Sequence, residues 1–149
     1  MNVRSLSPSL SLGHHINMRR FVASVFLFAA GLAAESFPPA DVKVVGDLRY
    51  GQTSSAVECS PASPYYAFVF NGKGGDRVDI VVKSEDRQAF VALADPSLNQ
   101  ITSGTTHVAF TLPNQGPDAE AYYIVFRDSE SKDARFTVEL KKLGTEASQ

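Results

Sequence analysis

From Val42 onward, short apolar runs alternate with clusters of Gly, Pro, Asn, Asp and Ser, and no stretch carries the 3.6-residue period of an amphipathic helix. Two runs are apolar on both faces, Tyr65 to Phe70 (YYAFVF) and Ala121 to Phe126 (AYYIVF). A strand covered on both sides has that pattern, so both are expected to be central. Three others alternate with period two: Val78, Ile80 and Val82; Val108, Phe110 and Leu112; Phe136, Val138 and Leu140. Each should turn one face to a core and the other to water, with Thr137 and Glu139 on the wet side of the last. VKVVGDLRYG (42–51) opens the series, AVEC (56–59) is a short strand stopped by the prolines of SPASP, and FVALA (90–94) is closed by Asp95-Pro96. About eight strands at a spacing of roughly 10 to 15 residues predict an all-β fold, a single antiparallel β-sandwich of jelly-roll-like type.

The chain ahead of this is patterned differently. Met18, Arg19 and Arg20 precede an apolar run from Phe21 to Leu32 that ends in small residues. Charged start, short apolar middle and small-residue cleavage site are the layout of a secretory signal peptide, here 18–34, with cleavage after Ala33 or Ala34. The run is too short for a membrane span, which needs roughly 20 apolar residues, so no stable span is expected after processing. Residues 1–17 carry no apolar periodicity, and Met18 is expected to be the true start. Residues 35–45 then form a proline-containing linker and first strand, 46–141 the sandwich, and 142–149 a flexible tail.

Export changes the charge and the chemistry. The chain has 14 Lys and Arg, three of which (Arg4, Arg19, Arg20) lie before residue 35; eleven remain against 16 Asp and Glu, a net charge of −5. An acidic surface without a basic run argues against nucleic acid or anionic membrane as a partner. Cys59 is the single cysteine, so no disulfide within the chain can form. His14 and His15 precede the leader, which leaves His107 as the one imidazole. A Cys59–His107 dyad would be the one thiol option, without the flanking motif of a cysteine enzyme, and no G-x-S-x-G elbow is present. The expectation is a non-enzyme.

Between the strand runs 65–70 and 77–83 lies Asn71-Gly72-Lys73-Gly74-Gly75-Asp76. A phosphate loop needs Gly-Lys followed by Ser or Thr and a helix, whereas here Gly74 and then β-alternating sequence follow. The glycines are expected to make a hairpin turn. Four pieces in order then resemble the bacterial pre-peptidase C-terminal domain family. They are Gly46, Leu48, Gly51 and Thr53; Tyr66, Phe68, Gly75, Asp76, Arg77, Val78 and Ile80; Val91, Leu93, Asp95 and Pro96; and the late tyrosine strand. The last departs from the pattern, because the family's Gly-x-Tyr is stretched from Gly116 to Tyr122-Tyr123, leaving open which tyrosine points inward. The resemblance implies a secreted or periplasmic β-sandwich that binds an extracellular polymer, glycan or protein, or assists a secreted hydrolase. A structural or interaction protein of the cell envelope is the alternative.

Candidate sites follow from residue type. No cofactor is expected, and the metal best suited to these residues is calcium, whose oxygen ligands would come from Glu85 and Asp86 in one acidic loop and Asp128, Glu130 and Asp133 in another. Some relatives of the fold bind calcium, but their ligand pattern does not map onto these residues one by one. Aromatic rings that stack on sugars or on a partner chain would be Tyr50, Tyr65 and Tyr122.

Overall fold

The computed structural model describes residues 37, 39–62 and 65–144. The stretch expected to be a signal peptide (18–34), the segment before it and the last five residues lie outside the described residues. A short 3-10 turn, Pro39–Asp41, leads into ten strands: β1 Val42–Asp47, β2 Gln52–Thr53, β3 Val57–Cys59, β4 Tyr65–Gly72, β5 Arg77–Lys83, β6 Ala89–Ala94, β7 Gln100–Thr105, β8 His107–Thr111, β9 Glu120–Asp128 and β10 Ala134–Leu143. One sheet runs β1-β4-β9-β6-β7; the other runs β2-β10-β5-β8, with β3 also on β10. Ladder bonds therefore absorb the backbone of nearly every apolar run, and the inward side chains of the two sheets meet in one core.

The strands predicted to be buried on both faces are central: β4 lies between β1 and β9, and β9 between β4 and β6. Their inner residues, Tyr66, Phe68, Phe70, Tyr122, Ile124 and Phe126, meet the three alternating sets of β5, β8 and β10 in the main core. Their outer residues join a smaller cluster of Phe37, Tyr65, Ala67, Ala92, Ala94 and Val125. Register across β4 and β9 pairs Phe70 with Tyr122 and Val69 with Tyr123. Tyr122 is thus the inward tyrosine and Tyr123 the outward one.

The structure departs from these expectations at four points. The sandwich is not wholly antiparallel, because β1 runs parallel to β4. β7 was not foreseen; its sequence QITSGT holds a single large apolar residue, and it is fixed as a strand by pairing with β6. Thr106 alone, at φ 65°, turns the chain from β7 into β8 in the other sheet. The last strand also runs two residues into the stretch expected to be tail, since β10 reaches Leu143.

The glycine cluster is a turn, but not a hairpin: β4 and β5 belong to different sheets. A strand apolar on both faces needs neighbours and cover on both sides, whereas β5 is apolar on one face and closes the core from the opposite layer. The corner closes with Asp76 N–H donating to Lys73 O at 3.0 Å, and Gly75 takes φ 87° at its third position, as a type II turn demands. Gly75 N–H also donates to Leu112 O at 2.9 Å, which draws the β8–β9 loop against the turn. That approach explains Gly74, where a Cβ would stand 2.6 Å from Asn114 Cα and 2.9 Å from Pro113 O. Gly74→Ala should therefore destabilise the domain by about 1–3 kcal/mol, the range for an overpacked site, as read from the urea midpoint. An unchanged midpoint would show that the loop yields freely.

Candidate functional site

The polar groups of the sandwich divide into those that hold the fold and those that face outward. Asp128, at the end of β9, is the one charged side chain in the buried set among the described residues, at 1% exposure. Arg87 grips it with two parallel bonds, Nε to Oδ1 at 2.9 Å and Nη2 to Oδ2 at 2.7 Å. The amides of Glu130 and Lys132 donate to Oδ2 as well, at 3.1 and 2.9 Å. The Arg87 bonds, followed by those amides, hold the Asp128 carboxyl below the usual carboxylate range against the opposing effect of burial. Glu130 in turn meets Arg87 at 3.2 Å and Lys132 at 2.9 Å. Asp128 is a fastener between the β5–β6 and β9–β10 loops.

The calcium candidates are not assembled around one shared cavity. Glu85 and Asp86 line one concavity with Lys83 and Arg135, while Asp128 and Glu130 face Arg87 and Lys132. Asp133 is exposed in the loop beyond them. Among the described residues no three His, Cys, Asp or Glu side chains converge as a metal-holding group.

The tyrosine candidates are committed to packing. Tyr122 is 1% exposed and stacks on Phe70 at 5.8 Å, so it cannot offer its ring to a ligand. Tyr65 is buried on the outer face of the first sheet between Phe37 and Phe90, with the Arg127 guanidinium 5.0 Å from its ring centre. Tyr50 is half-buried; its hydroxyl donates to Asp76 at 2.9 Å and Lys142 lies 5.6 Å from its ring. Burial, followed by that bond to a carboxylate, raises the Tyr50 hydroxyl well above its ordinary value. Asp76 also accepts from the Lys73 amide at 3.0 Å and meets Lys142 at 2.8 Å, so the family-like Asp serves the turn, and its cation is Lys142 rather than its neighbour Arg77.

The thiol–imidazole pair does not form. Cys59 on β3 and His107 on β8 are separated by β10 and β5, three strand spacings or roughly 14 Å, before any offset along the strands. Burial, with the charges of Asp128 and Glu58, pushes the Cys59 thiol up to about 12, so it stays protonated and packs as an apolar residue. His107 is exposed on the outer face of the second sheet, hydrogen-bonded through Nε2 to Asp79 on the neighbouring strand.

What remains open is the side of the sandwich where both sheets end. β1 is the edge of one sheet, and β2 and β3 form the edge of the other. Between them lies a groove of about 580 Å³, walled by Val45 and Asp47 on one side and Gln52 to Val57 on the other, with Leu48 and Phe68 at its floor. Ser54–Ala56 leave the ladder between β2 and β3. Ser54 substitutes for it, its amide donating to Val138 O at 2.8 Å and its hydroxyl accepting from Val138 N–H at 2.9 Å. Ser55 and Ala56 are left exposed on the rim, and Ala56 is shared with the concavity of Lys83, Glu85 and Arg135. The polar stretch QTSS (52–55) lies between two short strand runs in sequence, and nothing in its pattern marked it as a wall.

These observations define a two-sheet all-β sandwich with a polar-walled groove along its open side. No family model and no curated protein matches the chain. Among solved structures it is similar to PliG of Aeromonas hydrophila, a periplasmic lysozyme inhibitor of g-type lysozyme, with a TM-score of 0.52 and 9% identity over 68% of this chain and 99% of that one. It is also similar to the pre-peptidase C-terminal domain of a collagenase from Bacillus anthracis, with a TM-score of 0.49 and 16% identity over 67% of this chain and 94% of that one. At such identities the likeness is one of fold. Among the described residues no helix is long and apolar enough to cross a membrane.

Proposed function

We propose that this chain is an exported, non-catalytic binding module whose partner is a protein, docked on the open side of the sandwich. The carrying observation is the groove between β1 and Gln52–Val57, where backbone edges and small hydroxyl side chains surround a narrow apolar floor. Sugar binding calls for exposed aromatic rings, and the tyrosines of this chain that sequence singled out are taken up by packing. Export is supported by the leader at 18–34. One protein of the same fold is a periplasmic inhibitor of a lysozyme, so a protein partner suits the architecture.

A photo-crosslinking residue at exposed Ser55 tests this reading against the same residue at exposed Ala109, on the outer face of the second sheet. With the extracytoplasmic proteins of the source organism, a discrete adduct should form at position 55 and not at 109. Adducts at neither position, with retention on insoluble polysaccharide instead, would replace the protein reading by a glycan one.

A further inference from the structure

We infer that the groove takes an extended peptide segment of the partner, its backbone paired with the free edge of β1 at Gly46–Asp47 and one basic side chain set against Asp47. This rests on the binding-module reading above and narrows the partner's chemistry. Among the described residues β1 pairs with β4 alone, so a row of its N–H and C=O groups faces outward, and such an edge is a template for another strand. Its first half is guarded. The register shifts between Val44 and Gly46, so Val45 is the extra residue and packs toward the main core, and exposed Lys43 precedes it. The second half opens onto the groove.

The opposite wall offers a shorter stretch of backbone at Ser55 and Ala56, which lie outside the strands, while Ser54 before them is already bonded to Val138 of β10. A strand-like segment between the two walls is bounded on both sides by main chain and can drop alternate side chains toward Leu48 and Phe68. Charge sets the remaining requirement. Asp47 is the one charged residue lining the groove, and its carboxylate makes no hydrogen bond or ion pair among the described residues. A lysine or arginine on the incoming segment supplies the complement, whereas an acidic segment is repelled. A glycan would meet this wall without a ring to stack on, and it forms the competing outcome of the test.

The probes are two capped eight-residue peptides of alternating valine and threonine, one carrying a central lysine and the other a glutamate in its place. Titrated into the purified protein and followed by amide chemical shifts, the lysine peptide should move Gly46, Asp47, Ser55 and Ala56. It should bind about tenfold tighter than the glutamate peptide, since attraction and repulsion each supply the few-fold effect of a surface charge pair. Asp47→Asn should abolish that difference, and Ser55→Trp, at an exposed rim position, should block both peptides without changing the melting temperature. Equal binding of the two peptides, no shifts at those amides, or shifts there with cello- or chito-oligosaccharides instead would overturn the inference. If the Ser55 crosslink forms but neither Asp47→Asn nor the lysine peptide weakens it, the binding-module reading stands and the peptide inference falls. If no crosslink forms anywhere, the reading itself falls.

Discussion

Asp128→Ala is expected to cost the fold about 3 kcal/mol, the lower end for breaking a buried ion pair, and to lower the melting temperature by roughly 15 °C. The physical reason lies in what the change leaves behind. Asp128 is 1% exposed and Arg87 22%, so the guanidinium would keep its partial burial and lose its bidentate partner. The amides of Glu130 and Lys132 would lose their acceptor at the same time. Arg87→Met combined with Asp128→Leu removes both charges and should recover part of the loss, but not the part owed to the amides. Equilibrium urea unfolding of the three proteins separates these contributions. A loss below about 1 kcal/mol for Asp128→Ala would mean that water replaces the carboxylate at little cost.

The same residue sets a pH dependence. Because the folded Asp128 carboxyl titrates below its unfolded value of about 3.9, its stabilisation is complete above that pH and is lost as pH falls through the lowered folded value. Asp76 acts in the same direction, since bonds from Lys142, the Lys73 amide and Tyr50 outweigh the effect of its burial. Glu139 is drawn down to about 2 by Lys141 and Lys83, but it stands at the surface, where screening reduces its share. The natural protein should therefore lose stability between roughly pH 4 and pH 2, and Asp128→Ala should show a shallower slope over that interval.

How much of this could be read from residue order depends on which physical quantity is asked for. Period-two alternation reports which face of a strand is buried, so the inner sets of β5, β8 and β10 and the doubly buried β4 and β9 were visible in advance. It says nothing of which sheet a strand joins. The Lys73–Asp76 turn looks the same whether it closes a hairpin or a corner, and the difference is settled by what β9 and β10 offer as neighbours. The stretched segment before Tyr122 hid its orientation until the register with Phe70 fixed it. Charged loops are a weaker guide still: Glu130 and Asp128 read as possible cation ligands, yet the cation they hold is Arg87, 41 positions before Asp128. The groove was the least legible feature. Its two walls are edges of different sheets, and Asp47 and Ser55 acquire a common role through sheet order alone.

Phe126→Ala should be the more damaging core change, with a loss of about 4 kcal/mol. Phe126 is fully buried in the last third of β9 and holds rings from both layers. It stacks on Phe68 of β4 at 6.0 Å and 9°, and meets Phe136 of β10 edge-on at 6.4 Å and 81°. Truncation removes the transfer free energy of a large ring and leaves a cavity whose walls belong to two sheets that cannot collapse independently. Phe126→Leu keeps most of the volume and should cost about 1.5 kcal/mol, losing chiefly the ring geometry. Phe90→Ala, on the half-buried outer face, should cost less than Phe126→Ala, because there the structure can relax toward solvent. Urea midpoints for the three variants test the ordering, and a Phe126→Ala loss no larger than that of Phe90→Ala would deny the ring its role between the layers. The consequence reaches the groove, because Phe68 is both the stacking partner of Phe126 and part of the groove floor. At temperatures where Phe126→Ala remains folded, binding of the lysine peptide should weaken, while Phe90→Ala, whose ring packs on the far side of the same sheet, should bind it as the natural protein does.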